Sequence, residues 1–174
     1  NAAVMASGYA HGGAHGAKAA LEDFWKQVSD AGKYSPIQRS PWAMLSGQWT
    51  LDSSPMYLAA EMMGRTFSPY ELNPTGNNPL RPILAELVDF KALVESPIKL
   101  FITATNVRTG LGHVFRNAQI TPDVLLASGC LPTMFQAVEI DGEFYWDGGY
   151  AGNPTMTPLV RECKSLDTIL VKIN

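Results

Sequence analysis

The sequence predicts an α/β domain arranged as a three-layer sandwich around a largely parallel central sheet. Two apolar, β-branched runs carry that expectation. Residues 97–107, "PIKLFITATNV", and 165–173, "SLDTILVKI", read as buried strands. The third observation is the run of capped helical segments around them, because parallel neighbours need crossover connections that are usually helical. The 174 residues suit one domain with a sizeable core. Residues 35–80, rich in Pro, Ser and Met, read as a variable, cap-like helical segment within it.

From the N-terminus, "NAAVMASGYA" reads as helix interior. Leu21, Phe24, Trp25 and Val28 follow at helical spacing and predict an amphipathic helix over 17–28 with an aromatic packing face. Between them, "AHGGAHGA" (10–17) reads as a flexible connector. Gly12, Gly13 and Gly16 also suggest a phosphate cradle, but the stretch follows no strand and lacks the G-x-G-x-x-G spacing. His11 and His15 have the i, i+4 spacing of metal ligands, yet the glycines oppose a helix and no H-E-x-x-H glutamate is present. Ser54-Pro55 predicts a capped helix stopping at Gly64, and Asn78-Pro79 repeats the device. Thr121-Pro122 opens a short helix with Gly129 beyond its end. Asp141-Gly142 lies within "AVEIDGEFYW", which alternates as a β-hairpin does, and His113 falls at an edge near the "RTGLG" turn.

A net charge of −3 provides no basic footprint for nucleic acid or acidic lipid headgroups. No apolar run approaches the ~20 residues that cross a bilayer. Cys130 and Cys163, 33 positions apart with no metal spacing, read as reduced thiols of a cytoplasmic protein.

The stretch with most chemical content is "EIDGEFYWDGGYAGNP" (139–154). Its hairpin would carry Phe144, Tyr145 and Trp146 along a strand and leave Asp147 at the end, followed by Gly148 and Gly149. Strand ends are where α/β folds keep catalytic groups. Glycines there let the backbone turn or approach another group closely. The plainer reading is that Asp147 only caps a turn. A nucleophile for it is missing: G-x-S-x-G does not occur, Ser7 and Ser128 lack the preceding glycine, and no His follows Asp147. A Ser-Asp-His triad in that order is thereby excluded within the chain.

Together, "LLASGCLPTMFQAVEIDGEFYWDGGYAGNPTMTPLV" closely resembles the patatin-like phospholipase family, its bacterial members in particular. The family's A-S-x-x-L-P stretch matches 127–132, its aromatic hairpin surrounds Asp141-Gly142, its D-G-G is 147–149, and its N-P is Asn153-Pro154. "FITATNVRTG" and "DTILVKIN" resemble the flanking strands, and the opening resembles the helix after the family's nucleophile elbow.

The resemblance implies a lipid acyl hydrolase with a Ser–Asp dyad, no cofactor and no metal. Asp147 would be the proton acceptor and Gly148 and Gly149 the rest of the motif. The serine is expected roughly five residues before Asn1, so the fold is expected to be open at both ends and these 174 residues alone to be inactive. A carboxylate is a weak base for a hydroxyl, so Asp147 should be partly desolvated, with Tyr145 and Trp146 as its neighbours. Met44, Met56, Met62 and Met63 are expected in the core, with lining of an acyl pocket as the alternative. The implied partner is a lipid or other fatty-acyl ester, with peripheral membrane contact. Rival readings are a noncatalytic interaction or regulatory domain on this scaffold, and a phosphate-binding module at residues 12–16.

Overall fold

The computed structural model describes residues 1–33, 35, 37–47, 50–51, 54–152 and 155–171. The Asn153-Pro154 motif and the last three residues of "DTILVKIN" lie outside the described residues. Six helices come first: α1 (Ala2–Gly32), α2 (Pro41–Leu45), α3 (Pro55–Thr66), α4 (Pro69–Leu72), α5 (Leu80–Leu87) and α6 (Phe90–Glu95). The hairpin β1 (Phe101–Asn106) and β2 (Gly112–Arg116) follows, then α7 (Pro122–Ser128), the hairpin β3 (Val138–Ile140) and β4 (Glu143–Asp147), and α8 (Thr157–Glu162).

The helix expected over 17–28 is the second half of α1. Gly12 and Gly13 leave helical geometry, and Gly13 takes φ 58° and ψ −145°, a conformation that side chains disfavour. The chain doubles back there. A Cβ on Gly8 would sit 2.5 Å from the Gly16 carbonyl oxygen and 2.6 Å from the Ala20 Cβ, whereas residues eight apart in a straight helix are ~12 Å apart. The expected connector is therefore a tight break between two helical arms whose backbones touch. The first arm buries Ala3, Val4 and Ala6 with Ile83, Leu84, Leu93 and Leu100. Its Ser7 hydroxyl accepts the Asp89 N–H at 2.9 Å.

The cap signals hold, with one shift. Ser54 accepts from Tyr57 N–H at 3.4 Å and Thr121 from Val124 N–H at 3.3 Å. Asn78 accepts from Leu80 N–H at 3.0 Å, which places Pro79 at the cap position. Gly64 does not stop α3, which continues to Thr66 because no competing turn intervenes. Thr121→Ala should cost ~1 kcal/mol, read as a lower urea midpoint at unchanged slope.

The sheet corrects the parallel expectation. Its order is β2-β1-β4-β3 and each pairing is antiparallel. The helices expected to alternate with strands mostly precede them all, and the four strands form two hairpins with α7 between them. Asp141 (φ 53°) and Gly142 (φ 79°) form the turn of the second hairpin as read from sequence. In the first, the Asn106 carboxamide oxygen accepts Arg108 and Thr109 N–H at 3.1 and 3.0 Å.

The three-layer expectation is not met among the described residues either. Register puts Ile102, Ala104, Phe115, Tyr145 and Val138 on one face, and both apolar clusters use that face, packed under α7 and the helices beyond it. The strand expected over 165–173 is absent from its described part. Leu166 is 101% exposed and Ile169 91%; with no neighbouring strand to pair with, the segment leaves its amides to water. Met44, Met56, Met62 and Met63 are all exposed, against the expectation of core positions. Their helices α2 and α3 bury too little of the molecule to enclose them.

Candidate active site around Asp147

Asp147 is the last residue of β4, paired opposite Ala104 of the central strand β1. Three elements hold it. Its N–H donates to the Cys130 carbonyl at 3.0 Å, just after α7. Its carbonyl accepts the Thr105 hydroxyl at 2.7 Å. Its Oδ1 accepts the Gly149 N–H at 2.7 Å, opening the 3-10 turn Gly148–Tyr150. No described residue hydrogen-bonds Oδ2. Asp147 does cap a turn, as the plainer reading held, and one carboxylate oxygen remains available beyond that duty.

Gly148 shows why the motif needs glycine, and the reason is proximity, since its φ is not positive. A Cβ there would fall 2.2 Å from the Thr103 carbonyl oxygen and 2.7 Å from its carbon. The turn thus lies directly against β1, and this contact sets where the Asp147 carboxylate emerges. Gly149 contributes its N–H.

Asp147 is half-buried. Strand alternation puts Tyr145 on the same face as Asp147 and sends Trp146, opposite Thr105, to the other face. Of the two expected aromatic neighbours, only Tyr145 therefore shares its side of the sheet.

Sequence reasoning missed Thr103, Thr105 and Cys130, the partners that place Asp147; long-range contacts of this kind leave no local pattern. Cys130 is 1% exposed and its thiol donates to the Gln136 carbonyl at 3.1 Å. Burial, and then the charge of Asp147, push the thiol up to about 11. Only about one in a thousand Cys130 thiols would be ionised at pH 8, so iodoacetamide should modify half-buried Cys163 well before it. Peptide mapping of a timed alkylation would show this order.

The candidate serines are not brought to Asp147. Ser7 is engaged with Asp89, and the Ser128 hydroxyl donates to the Leu125 carbonyl at 2.8 Å within α7. His11 lies between the Ser7 carbonyl, 2.9 Å from Nδ1, and Asp89 Oδ2, 3.3 Å from Nε2. It serves the contact between α1 and α6. The hollow beside Gly12 and Gly16 is bordered by Glu86 and Asp89, whose charges oppose a phosphate there. His113 is an exposed residue of edge strand β2, as expected. Among the described residues no three His, Cys, Asp or Glu side chains converge on a metal position, and no helix is long and apolar enough to cross a membrane.

No curated protein and no solved structure matches the chain significantly. The family model for patatin-like phospholipases matches residues 2–160, from the first helical arm through the hairpin and the Asp147 turn into α8. With most of its length so matched, the chain belongs to the patatin-like phospholipase family, a generally hydrolytic family that acts on lipid substrates.

Proposed function

We propose that the full-length protein is a lipid acyl hydrolase in which Asp147 is the base of a Ser–Asp dyad, with the serine supplied from sequence before Asn1. The observation that carries this reading is the half-buried Asp147 carboxylate, oriented through Oδ1 by Gly149 and unengaged at Oδ2 by any described residue. In the forward step Oδ2 accepts the serine proton as the serine oxygen attacks the ester carbonyl. The tetrahedral oxyanion collapses, the alcohol leaves with the proton that Asp147 had taken up, and an acyl-serine remains. Asp147, ionised again, takes a proton from water, whose attack releases the fatty acid, and passes that proton to the departing serine oxygen. Hydrogen-bond donors outside these residues would stabilise the oxyanion, a large contribution in acyl transfer.

A place for the acyl chain supports the same reading. A groove of 340 Å³ runs between α3 and the loop after α7, bordered by Tyr57, Ala60, Thr133 and Met134. Thr133 is three residues from Cys130, whose carbonyl binds Asp147, so the loop spans at most about 11 Å. That is within reach of a fatty-acyl chain. The four methionines singled out from sequence do not border this groove.

The test is the intact mass of the full-length protein after exposure to a fluorophosphonate, which captures activated serines. One adduct is expected, on a serine preceding Asn1, and Asp147→Asn should prevent it. An adduct on a serine within residues 1–174 would refute the assignment of the nucleophile. No adduct at all would leave a noncatalytic scaffold.

A further inference from the structure

A cavity of 630 Å³ opens on the same sheet face as Asp147 but at the opposite end of α7, and Asp147 does not border it. Its volume is within the range of small-molecule sites. Three rings gather on its sheet wall. His113 lies 4.5 Å from Phe115 and 5.9 Å from Tyr145, and Phe115 lies 5.6 Å from Tyr145, centroid to centroid. Asp123, Glu139, Asp141 and Glu143 also border it.

Those carboxylates are not fully compensated. Asp123 is paired with Arg81, and Glu143 with Arg108 at 2.5 Å and with the Asn106 carboxamide at 3.0 Å. Asn106, and then Arg108, hold the Glu143 carboxyl below the usual carboxylate range, so it stays charged. Glu139 and Asp141 have no ion-pair partner among the described residues. The cavity therefore carries an excess of negative charge from at least two groups.

Tyr145 is the independent sign of a ligand. It is 7% exposed, and no described residue hydrogen-bonds its hydroxyl. A sealed, unpartnered oxygen would be a buried unsatisfied group, and among the described residues there is none. The hydroxyl must therefore open onto the cavity that Tyr145 borders. A donor seated in that space would meet this hydroxyl, which no described residue engages.

We propose that this cavity binds an alkylammonium group, carried either by a small free amine or by an aminated lipid headgroup. An ammonium meets each feature at once. Its N–H groups donate to the Tyr145 oxygen and to the unpaired carboxylates, and its charge is attracted to the faces of the rings. An anion is repelled by the carboxylates. A neutral ligand gains at most hydrogen bonds from them, without the attraction between opposite charges.

The test is calorimetric titration of the full-length protein with ethanolamine and, as the neutral counterpart, ethylene glycol. Ethanolamine should bind and ethylene glycol should not. Tyr145→Phe should weaken ethanolamine about tenfold through the lost bond to a charged donor. The double variant Glu139→Gln, Asp141→Asn should weaken it several-fold. Both residues of that pair are exposed and unpaired, and asparagine tolerates the positive φ of Asp141, so this variant decides the matter if Tyr145→Phe fails to fold. Flotation with vesicles separates the two sources. Tyr145-dependent binding to phosphatidylethanolamine vesicles over phosphatidylglycerol vesicles would identify the headgroup, and binding of free ethanolamine alone would identify a small amine. The proposal is overturned if ethanolamine fails to bind, binds no better than ethylene glycol, or binds both variants as tightly as the wild type.

Discussion

Asp147→Asn should lower ester hydrolysis by the full-length protein about 10²–10⁴-fold, the usual contribution of a positioned base, and leave its folding nearly untouched. The separation of the two effects follows from the hydrogen bonds. The carboxamide oxygen of the substituted side chain can still accept the Gly149 N–H that Oδ1 now accepts at 2.7 Å. The backbone bonds to Cys130 and Thr105 do not involve the side chain. What is lost is a second oxygen able to take a proton. The expected change in stability is below about 1 kcal/mol, since a neutral acceptor replaces a charged one at a half-exposed site. Steady-state hydrolysis of a soluble fatty-acyl ester, with a denaturant curve on the same sample, would read both. Retention of more than a tenth of the wild-type rate would remove Asp147 from the chemistry. Loss of rate together with loss of fold would leave its catalytic role without support.

Gly148→Ala is the counterpart, with the largest structural effect expected of any single methyl group here. The added Cβ would stand 2.2 Å from the Thr103 carbonyl oxygen. That oxygen belongs to the backbone of the central strand, which cannot swing aside as a flexible side chain would. Either β1 and β4 separate or the turn after Asp147 lifts, at a cost of about 3 kcal/mol or more. Either movement displaces the carboxylate, and a shift of ~1 Å can reduce catalysis about 10²-fold. Gly129→Ala is the control. A Cβ there meets nothing within 4 Å, and removing a glycine at a compatible position is neutral or mildly stabilising. Thermal midpoints should fall clearly for the first and not for the second. Equal midpoints for the two would mean that the turn does not rest on Thr103.

Features specified within a few residues were legible in the sequence. Thr121 bonds its own helix three residues on, Asp141-Gly142 supplies the two positive φ values of a tight turn, and Gly13 breaks a helix wherever the helix lies. The D-G-G stretch was recognisable for the same reason, since its signature is contiguous. The partners of Asp147 were not. Thr105 lies 42 positions away and Cys130 seventeen, and nothing local in "FITATN" or "ASGCLP" indicates which backbone each will meet. Strand direction failed on similar grounds. An apolar run such as "FITATN" is compatible with parallel or antiparallel neighbours, and pairing is settled by which edge the connecting hairpins present.

By itself, then, the sequence determined the caps, the turns, the break in α1 and the patatin-like motif around Asp147, all set by short-range sterics and backbone hydrogen bonding. Only the tertiary structure decided that the sheet is antiparallel, that Gly148 must be glycine because Thr103 lies against it, and that Tyr145, His113 and Phe115 share a cavity wall with unpaired carboxylates. Those outcomes depend on which distant surfaces exclude water together, and burial of that kind has no address in the linear order of residues.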